Sequence, residues 1–315
     1  MRIGLIEVGH WHTGMYINAL TILGEEIKAV SDRDEAIAKR VAEKINCSYY
    51  TDYREMLKKE DLDFVFSFGK HIEMPNIIET LIDRGISFNA EKPCGVNYKR
   101  VRDLAHKAYK KGLFASVSFV KRVSIKVREI LDSLDRMGEI KYMYFKYITG
   151  SPSRYIKWNC PWMLNKKISG GGCLINLGVH YIDLINYLFH NNIEVVYPLI
   201  LNKIYGLNVE DYSLLVLKTD KKYSVVEVGY TPCHKVEEYF SIIGTNGRII
   251  FSDKKLVKCF GKRREILDVK EDEYFKFIEE TIDRFKRGGK PIADLEDAAK
   301  VLEIVNKAYN MAVLS

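Results

Sequence analysis

Arg2-Ile3-Gly4-Leu5-Ile6-Glu7-Val8-Gly9-His10-Trp11-His12-Thr13-Gly14 reads as an apolar strand over Arg2 to Ile6, a turn, and the start of a helix from Gly14 to Leu23. A strand feeding a glycine-bearing turn and then a helix is how an open parallel sheet builds a phosphate-binding crevice. Three glycines serve such a turn: one for the tight bend, one for close backbone approach to a pyrophosphate, one for packing helix on strand. Only the middle one, Gly9, is present; Glu7 and His12 occupy the other two places. The turn alone is equally compatible with a plain strand-turn-helix junction. Its context adds weight, because Asp32 closes the next strand about twenty residues on, where an acidic group binds an adenosine ribose. In Ser31-Asp32-Arg33-Asp34 the same carboxylate also suits a helix N-terminus, so both readings stand.

The alternation continues outward. Ile27 to Ser31, Phe64 to Phe68, Ser87 to Ala90 and Phe114 to Phe119 read as strands; Ala36 to Lys44, Met74 to Arg84 and Tyr98 to Lys110 read as helices. This predicts an α/β domain over residues 1–120, a doubly wound parallel sheet with helices on both faces. Past residue 120 the pattern changes. One helix, Ile125 to Met137, precedes strand-like runs at Lys141 to Ile148, Val195 to Leu201, Tyr212 to Leu217, Ser224 to Tyr230, Tyr239 to Ile243 and Arg248 to Ser252. Thr245-Asn246-Gly247 has hairpin-turn chemistry. The expectation is an α+β domain over 121–315 with an open, mostly antiparallel sheet. Helices over Asp272 to Lys286 and Leu295 to Val313 close the chain, the last expected to pack back on the first domain.

A chain of 315 residues accommodates two such domains, and 47% hydrophobic with 29% charged residues is an ordinary globular balance. Forty-nine Lys and Arg against 42 Asp and Glu give +7 with no long basic run; Lys110-Lys111, Lys166-Lys167 and Lys262-Arg263-Arg264 read as solvated loops and helix ends. No nucleic-acid partner is expected, and a mild preference for anionic small substrates is the most this charge supports. Cys47, Cys94, Cys160, Cys173, Cys233 and Cys259 are scattered without metal-ligand spacing, so no metal site and reduced thiols are expected. The N-terminus carries no leader, and no apolar run approaches the ~20 residues of a membrane helix; a cytoplasmic protein without a membrane partner is expected.

Two further segments carry chemistry. Glu91-Lys92-Pro93 ends the fourth strand, so Lys92 projects from the carboxyl edge of a parallel sheet, where ligands bind. In Ser169-Gly170-Gly171-Gly172-Cys173-Leu174-Ile175-Asn176-Leu177-Gly178-Val179-His180-Tyr181-Ile182-Asp183 three glycines open an apolar helix. Asn176, His180 and Asp183 are spaced to line one face of it. A polar stripe on a buried helix is either a structural hydrogen-bond ladder or the wall of an active site.

Together these motifs resemble the glucose-fructose oxidoreductase / inositol dehydrogenase (Gfo/Idh/MocA) family. Glu210-Asp211 before a strand, Gly244-Thr245-Asn246-Gly247 and Pro291-Ile292-Ala293-Asp294-Leu295-Glu296-Asp297-Ala298 extend the likeness over essentially the whole chain. The resemblance implies a Rossmann domain holding NAD, with NADP as the second choice, and a second domain that supports a sugar or cyclitol site and homodimer or homotetramer contacts. It implies catalytic roles for Lys92, His180 and Asn176, the last standing where the family carries an aspartate. Asp183 is read as a structural partner. Cofactor contacts implied are Gly9, His10, Trp11, His12, Asp32, Arg33, Gly69, His71, Glu91 and Lys92. The irregular segment before the glycine-rich helix borders the expected cleft, so Arg154, Tyr155 and Trp162, with Arg122 past the fifth strand as a weaker candidate, read as substrate contacts or, equally, as ordinary loop packing. The activity implied is hydride transfer between a nicotinamide and a secondary alcohol. Loss of two fingerprint glycines and of the aspartate leaves a second reading, a non-catalytic dinucleotide-binding regulator or scaffold of the same fold.

Overall fold

The computed structural model describes residues 1–189, 192–220, 222–233 and 235–312. Strands β1 (Arg2–Ile6), β2 (Glu26–Ser31), β3 (Ser48–Tyr50), β4 (Phe64–Ser67), β5 (Ser87–Ala90) and β6 (Ala115–Val117) form a parallel sheet in the order 3-2-1-4-5-6. Helices α1 (Thr13–Ile22), α2 (Glu35–Ile45), α3 (Tyr53–Lys59), α4 (Met74–Asp83) and α5 (Tyr98–Lys110) connect them. Central strands β1 and β4 are near-continuous apolar runs because helices cover both faces of the sheet. Strand β3 and helix α3 went unread in the sequence. The first is a three-residue edge strand with Ser48 and Tyr49 exposed, and the second is seven residues started by the Asp52 cap, too short for periodicity to show.

In the second unit, α6 (Ile125–Leu131) and α7 (Leu134–Met137) replace the single helix expected, since the chain breaks at Asp132-Ser133. An eight-stranded sheet follows, in the order β14-β13-β12-β11-β7-β10-β9-β8. Its strands are β7 (Ile140–Thr149), β8 (Glu194–Leu201), β9 (Tyr212–Thr219), β10 (Lys222–Tyr230), β11 (Glu237–Gly244), β12 (Gly247–Ser252), β13 (Lys255–Phe260) and β14 (Arg263–Asp268). Every pairing is antiparallel except β7 with β10. The outer hairpin β13–β14 was missed because Lys262-Arg263-Arg264 read as solvated loop; pairing with β13 makes Arg263 and Arg264 the start of a strand. One-turn helices α8 (Arg154–Lys157) and α9 (Lys166–Ser169) lead into the π-helical turn Leu174–Gly178 and α10 (Val179–Phe189).

Segment 166–189 is long and apolar enough by composition to cross a membrane, contrary to expectation, but 78% of its most apolar window is buried inside the protein. It is a core helix. The final helices α11 (Glu273–Lys286) and α12 (Leu295–Met311) return to the first sheet. Phe277, Ile278 and Ile282 of α11 join the core beneath Leu5 and Phe66, and α12 packs along α5. The expected end of α12 at Val313 lies outside the described residues.

The glycine run has a packing cause. A Cβ on Gly172 would stand 2.0 Å from the backbone oxygen of Glu210, and one on Gly171 would stand 2.0 Å from the Tyr309 hydroxyl. The close approach lets Glu210 accept from the Leu174 N–H (3.0 Å) and from Tyr309 (2.7 Å), satisfying an orphan donor at the helix start. Gly172→Ala is therefore expected to destabilise the protein by roughly 1–3 kcal/mol or more. Gly14→Ala, at a helical position with nothing within 4 Å, is expected to stabilise it by up to ~1 kcal/mol. Denaturant unfolding checks both, and a neutral Gly172→Ala would show that the Glu210 segment yields freely.

Candidate active site

A cavity of about 700 Å³ opens at the carboxyl edge of the parallel sheet, where it meets α8, the π turn and the start of α11. The β1–α1 turn forms one wall. Glu7 holds φ +59°, the left-handed conformation that glycine supplies in such turns. Its carboxylate is buried, 3.8 Å from Arg33; burial and then the neighbouring Asp32 push its pKa up to about 7. Gly9 keeps its reason: a Cβ there would come within 2.9 Å of Asp32 Oδ2, which accepts the Gly9 N–H at 2.7 Å. Asp32 Oδ1 accepts the Asp34 N–H at 2.9 Å. His10 stacks on Trp11, and Trp11 on Trp158. His12 sits at the N-terminus of α1 with Nδ1 3.2 Å from Glu91 Oε1 and Nε2 3.0 Å from the Tyr274 hydroxyl.

The opposite wall is built on Lys92, which follows β5 across a cis peptide to Pro93. Its ammonium is buried and donates to the Asn176 backbone oxygen (2.7 Å) and Oδ1 (2.8 Å). Burial lowers the Lys92 pKa to about 8, opposed by Glu91. Asn176 Nδ2 donates to the Tyr155 hydroxyl at 2.6 Å. His180 faces the same cavity; its Nδ1 is enclosed without a partner among the described residues, and burial, then Lys92, hold it well below the usual histidine pKa. The imidazole is thus neutral at pH 7.

Sequence and structure part company at several positions. Arg122 does not face the cavity. It is buried, bidentate to Asp183 (2.6 and 2.9 Å), and bonded to Asp297 (2.9 Å) and the Ile292 oxygen (3.0 Å). Its neighbour Lys121 lines the cavity instead, paired with Glu238 (2.7 Å). Trp162 packs edge-on against His71 behind the turn, and Trp158 takes the cavity wall. His71 is buried and donates Nδ1–H to the Ser169 oxygen at 2.7 Å. Gly69 leaves room for Ile77, whose Cδ1 would lie 2.4 Å from a Cβ. Neither of these two lines the cavity. Arg33 is exposed and pairs with Glu73 at 2.8 Å. Gly9, His10, Trp11, His12, Lys92, Arg154, Tyr155, Asn176 and His180 are brought together around it. Tyr274, at the start of α11, was missed; no local pattern marks a residue delivered from so far along the chain.

Two family models match the chain: an oxidoreductase family with an NAD-binding Rossmann fold over residues 1–119, and the GFO/IDH/MocA C-terminal domain over residues 125–250. A trans-1,2-dihydrobenzene-1,2-diol dehydrogenase of Macaca fuscata fuscata is 24% identical over 198 residues, 60% of this chain and 56% of that protein. The chain spans about half the length of the curated relatives it matches. Among solved structures, GenD2 from gentamicin A biosynthesis in complex with NAD superposes with TM-score 0.85 at 19% identity, covering 98% of this chain and 93% of that one. Levoglucosan dehydrogenase in complex with NADH and levoglucosan gives 0.84 at 17%, covering 99% and 98%. At such identities the likeness establishes the fold.

The first domain is an NAD-binding Rossmann fold, and its residues fit that cofactor. Gly9 brings bare backbone to the turn before α1, where a pyrophosphate would meet a helix N-terminus, and Asp32 offers a carboxylate of the kind that accepts from a ribose hydroxyl. Glu7 is the discordant element. With its pKa near 7 it is half protonated at neutrality, and as pH rises it adds a negative charge beside Asp32 and the pyrophosphate position. NAD binding is expected to weaken from pH 6 to pH 8, with most of that slope removed in Glu7→Gln. Glu7→Gly, which also relieves the positive φ, should bind NAD more tightly than the parent chain. Quenching of tryptophan fluorescence on titration with NAD at both pH values checks this, and a flat wild-type profile would contradict it.

Proposed function

Because the chain belongs to the GFO/IDH/MocA family of NAD-binding oxidoreductases, we propose that it transfers hydride between NAD and a secondary alcohol of a sugar, cyclitol or sugar derivative. The observation that carries this reading is the buried Lys92 ammonium, clamped by Asn176 beside a neutral His180 in one cavity. When bound, the nicotinamide supplies the hydride acceptor at its C4. The chain's own residues handle the proton. His180 accepts it from the substrate hydroxyl. Lys92 spends two of its three N–H donors on Asn176, leaving one for the oxygen that becomes an alkoxide.

Asn176 orients Lys92 through Oδ1 and, through Nδ2, fixes the Tyr155 phenol at the cavity wall. An aspartate there would favour the ammonium and raise the Lys92 pKa. Gly9, Asp32 and the turn residues His10 to His12 would hold the cofactor, and Glu91 supports them by accepting from Tyr16 and His12. Asp32 favours NAD over NADP, because it would repel a 2′-phosphate.

Lys92→Ala and His180→Ala are each expected to lower kcat by ~10²–10⁴-fold while NAD affinity changes little. The double variant should be no worse than the poorer single one, as for groups acting as a unit. A polyol panel with NAD, read at 340 nm, checks this; near-normal turnover by His180→Ala would remove it from the chemistry. In Asn176→Asp the limb of the kcat/KM profile set by Lys92, near pH 8, should move to higher pH.

The outward face of the large sheet carries Tyr142, Tyr223 and Ile243 in one row, with Tyr197 and Ile266 further along, all exposed. Such a face suits contact with a second copy of the chain. Light scattering on eluted protein is expected to give a dimer or tetramer mass, and a monomer at micromolar concentration would overturn this assignment.

A further inference from the structure

Arg154 is a half-buried cation of the cavity with no carboxylate partner among the described residues. Lys121 pairs with Glu238 and Glu273, and Lys92 lies against Asn176 next to Glu91. Arg154 is held only by neutral acceptors: Thr149 Oγ1 at 2.6 Å, the Gly150 oxygen at 3.3 Å and the Tyr155 hydroxyl at 3.2 Å. Its guanidinium lies over the rings of Tyr155, Trp158 and Tyr230, 5.0–5.7 Å from their centroids. Its Nε is enclosed and has no hydrogen-bond partner among the described residues. An unpaired guanidinium donor away from water is costly, and such a group in a native cleft calls for an explanation.

The surroundings indicate what the cavity side of the guanidinium suits. Trp158 is 45% exposed, stacked on Trp11 at 6.2 Å and 23°, with Tyr155 edge-on to both, so ring faces line the wall beside the cation. Ring faces suit the C–H side of a sugar; three of the guanidinium's five N–H donors go to Thr149, Gly150 and Tyr155 and the Nε donor is enclosed, which leaves one Nη2 N–H and the positive charge for an oxyanion. Of the ionisable side chains lining the cavity, Arg40, Lys92, Lys121 and Arg154 are cationic and Glu273 is the carboxylate; Glu273 is already paired with Lys126 at 2.8 Å.

From this arrangement we infer that the substrate is an anionic polyol, a monosaccharide or cyclitol derivative whose carboxylate or phosphate is held by Arg154. The inference rests on the oxidoreductase reading for the reaction, and it names the class of molecule oxidised. Arg154 reaches Lys92 through the Tyr155 hydroxyl and Asn176 alone. The oxyanion therefore belongs on the ring that carries the reacting hydroxyl or on its immediate substituent, and a remote diphosphate would not be read here. Arg154 is in this sense a specificity residue.

The test is calorimetric binding to NAD-saturated protein of D-glucuronate, D-gluconate and D-glucose 6-phosphate against D-glucose and myo-inositol. At least one anion is expected to bind about 10–100-fold more tightly than its neutral counterpart, the range of a charge-assisted hydrogen bond. Which anions bind distinguishes carboxylate from phosphate. In Arg154→Gln the ratio of acid to neutral affinity should fall toward one, and Arg154→Lys should retain part of it. Equal binding of acids and neutral sugars, no binding by any anion, or a preference that survives Arg154→Gln in a protein with unchanged melting would each overturn the inference. An Arg154-dependent anion preference in a protein that oxidises no polyol would leave this site standing and sink the oxidoreductase reading instead.

Discussion

A single buried guanidinium ties the two halves of the site together. Arg122 follows β6 and grips Asp183 on α10, Asp297 at the start of α12 and the Ile292 oxygen between α11 and α12, with Tyr187 beneath it at 4.7 Å. A charge taken so far out of water is tolerated only with its partners in place, and removing one partner of such a pair typically costs ~3–5 kcal/mol. The pairing fixes α10 against the end of the parallel sheet. Asn176 and His180 lie on the preceding turns of that helical run, so their approach to Lys92 follows from where Arg122 holds Asp183. The polar stripe divides its labour: Asp183 belongs to the structure, Asn176 and His180 to the cavity.

The departures from the glycine fingerprint are accommodated rather than left raw. Glu7 takes the left-handed backbone that glycine would take and finds Arg33 nearby. His12, in place of the third glycine, is fixed between Glu91 and Tyr274, so a ring on α11 closes over the start of α1. Asn176, in place of an aspartate, supplies both an acceptor for Lys92 and a donor for Tyr155, which a carboxylate could not do. Each substitution thus has partners of its own in the site.

The parallel sheet and its crossovers were legible in the sequence because they rest on local signals, alternation of strand and helix and a glycine at a turn; the polar stripe at helical spacing was legible too, but local pattern left it open between a ladder and a cavity wall, and only the family resemblance joined Lys92 to Asn176 and His180. The open second sheet was legible in outline, less its polar hairpin β13–β14. What local pattern could not fix is which way neighbouring side chains turn. Lys121 and Arg122 are adjacent and both cationic, yet the 3-10 turn at Val120–Val123 sends one to the cavity and the other to Asp183 and Asp297. Trp158 and Trp162 divide in the same way between the wall and the packing behind the turn. Tyr274 enters from 262 residues beyond His12. The sequence by itself determined the longer elements and the residue types available for chemistry; only the tertiary structure decided which charges are neutralised internally and which, like Arg154, face the cleft without a carboxylate among the described residues, because pairing depends on distances between segments far apart in the chain.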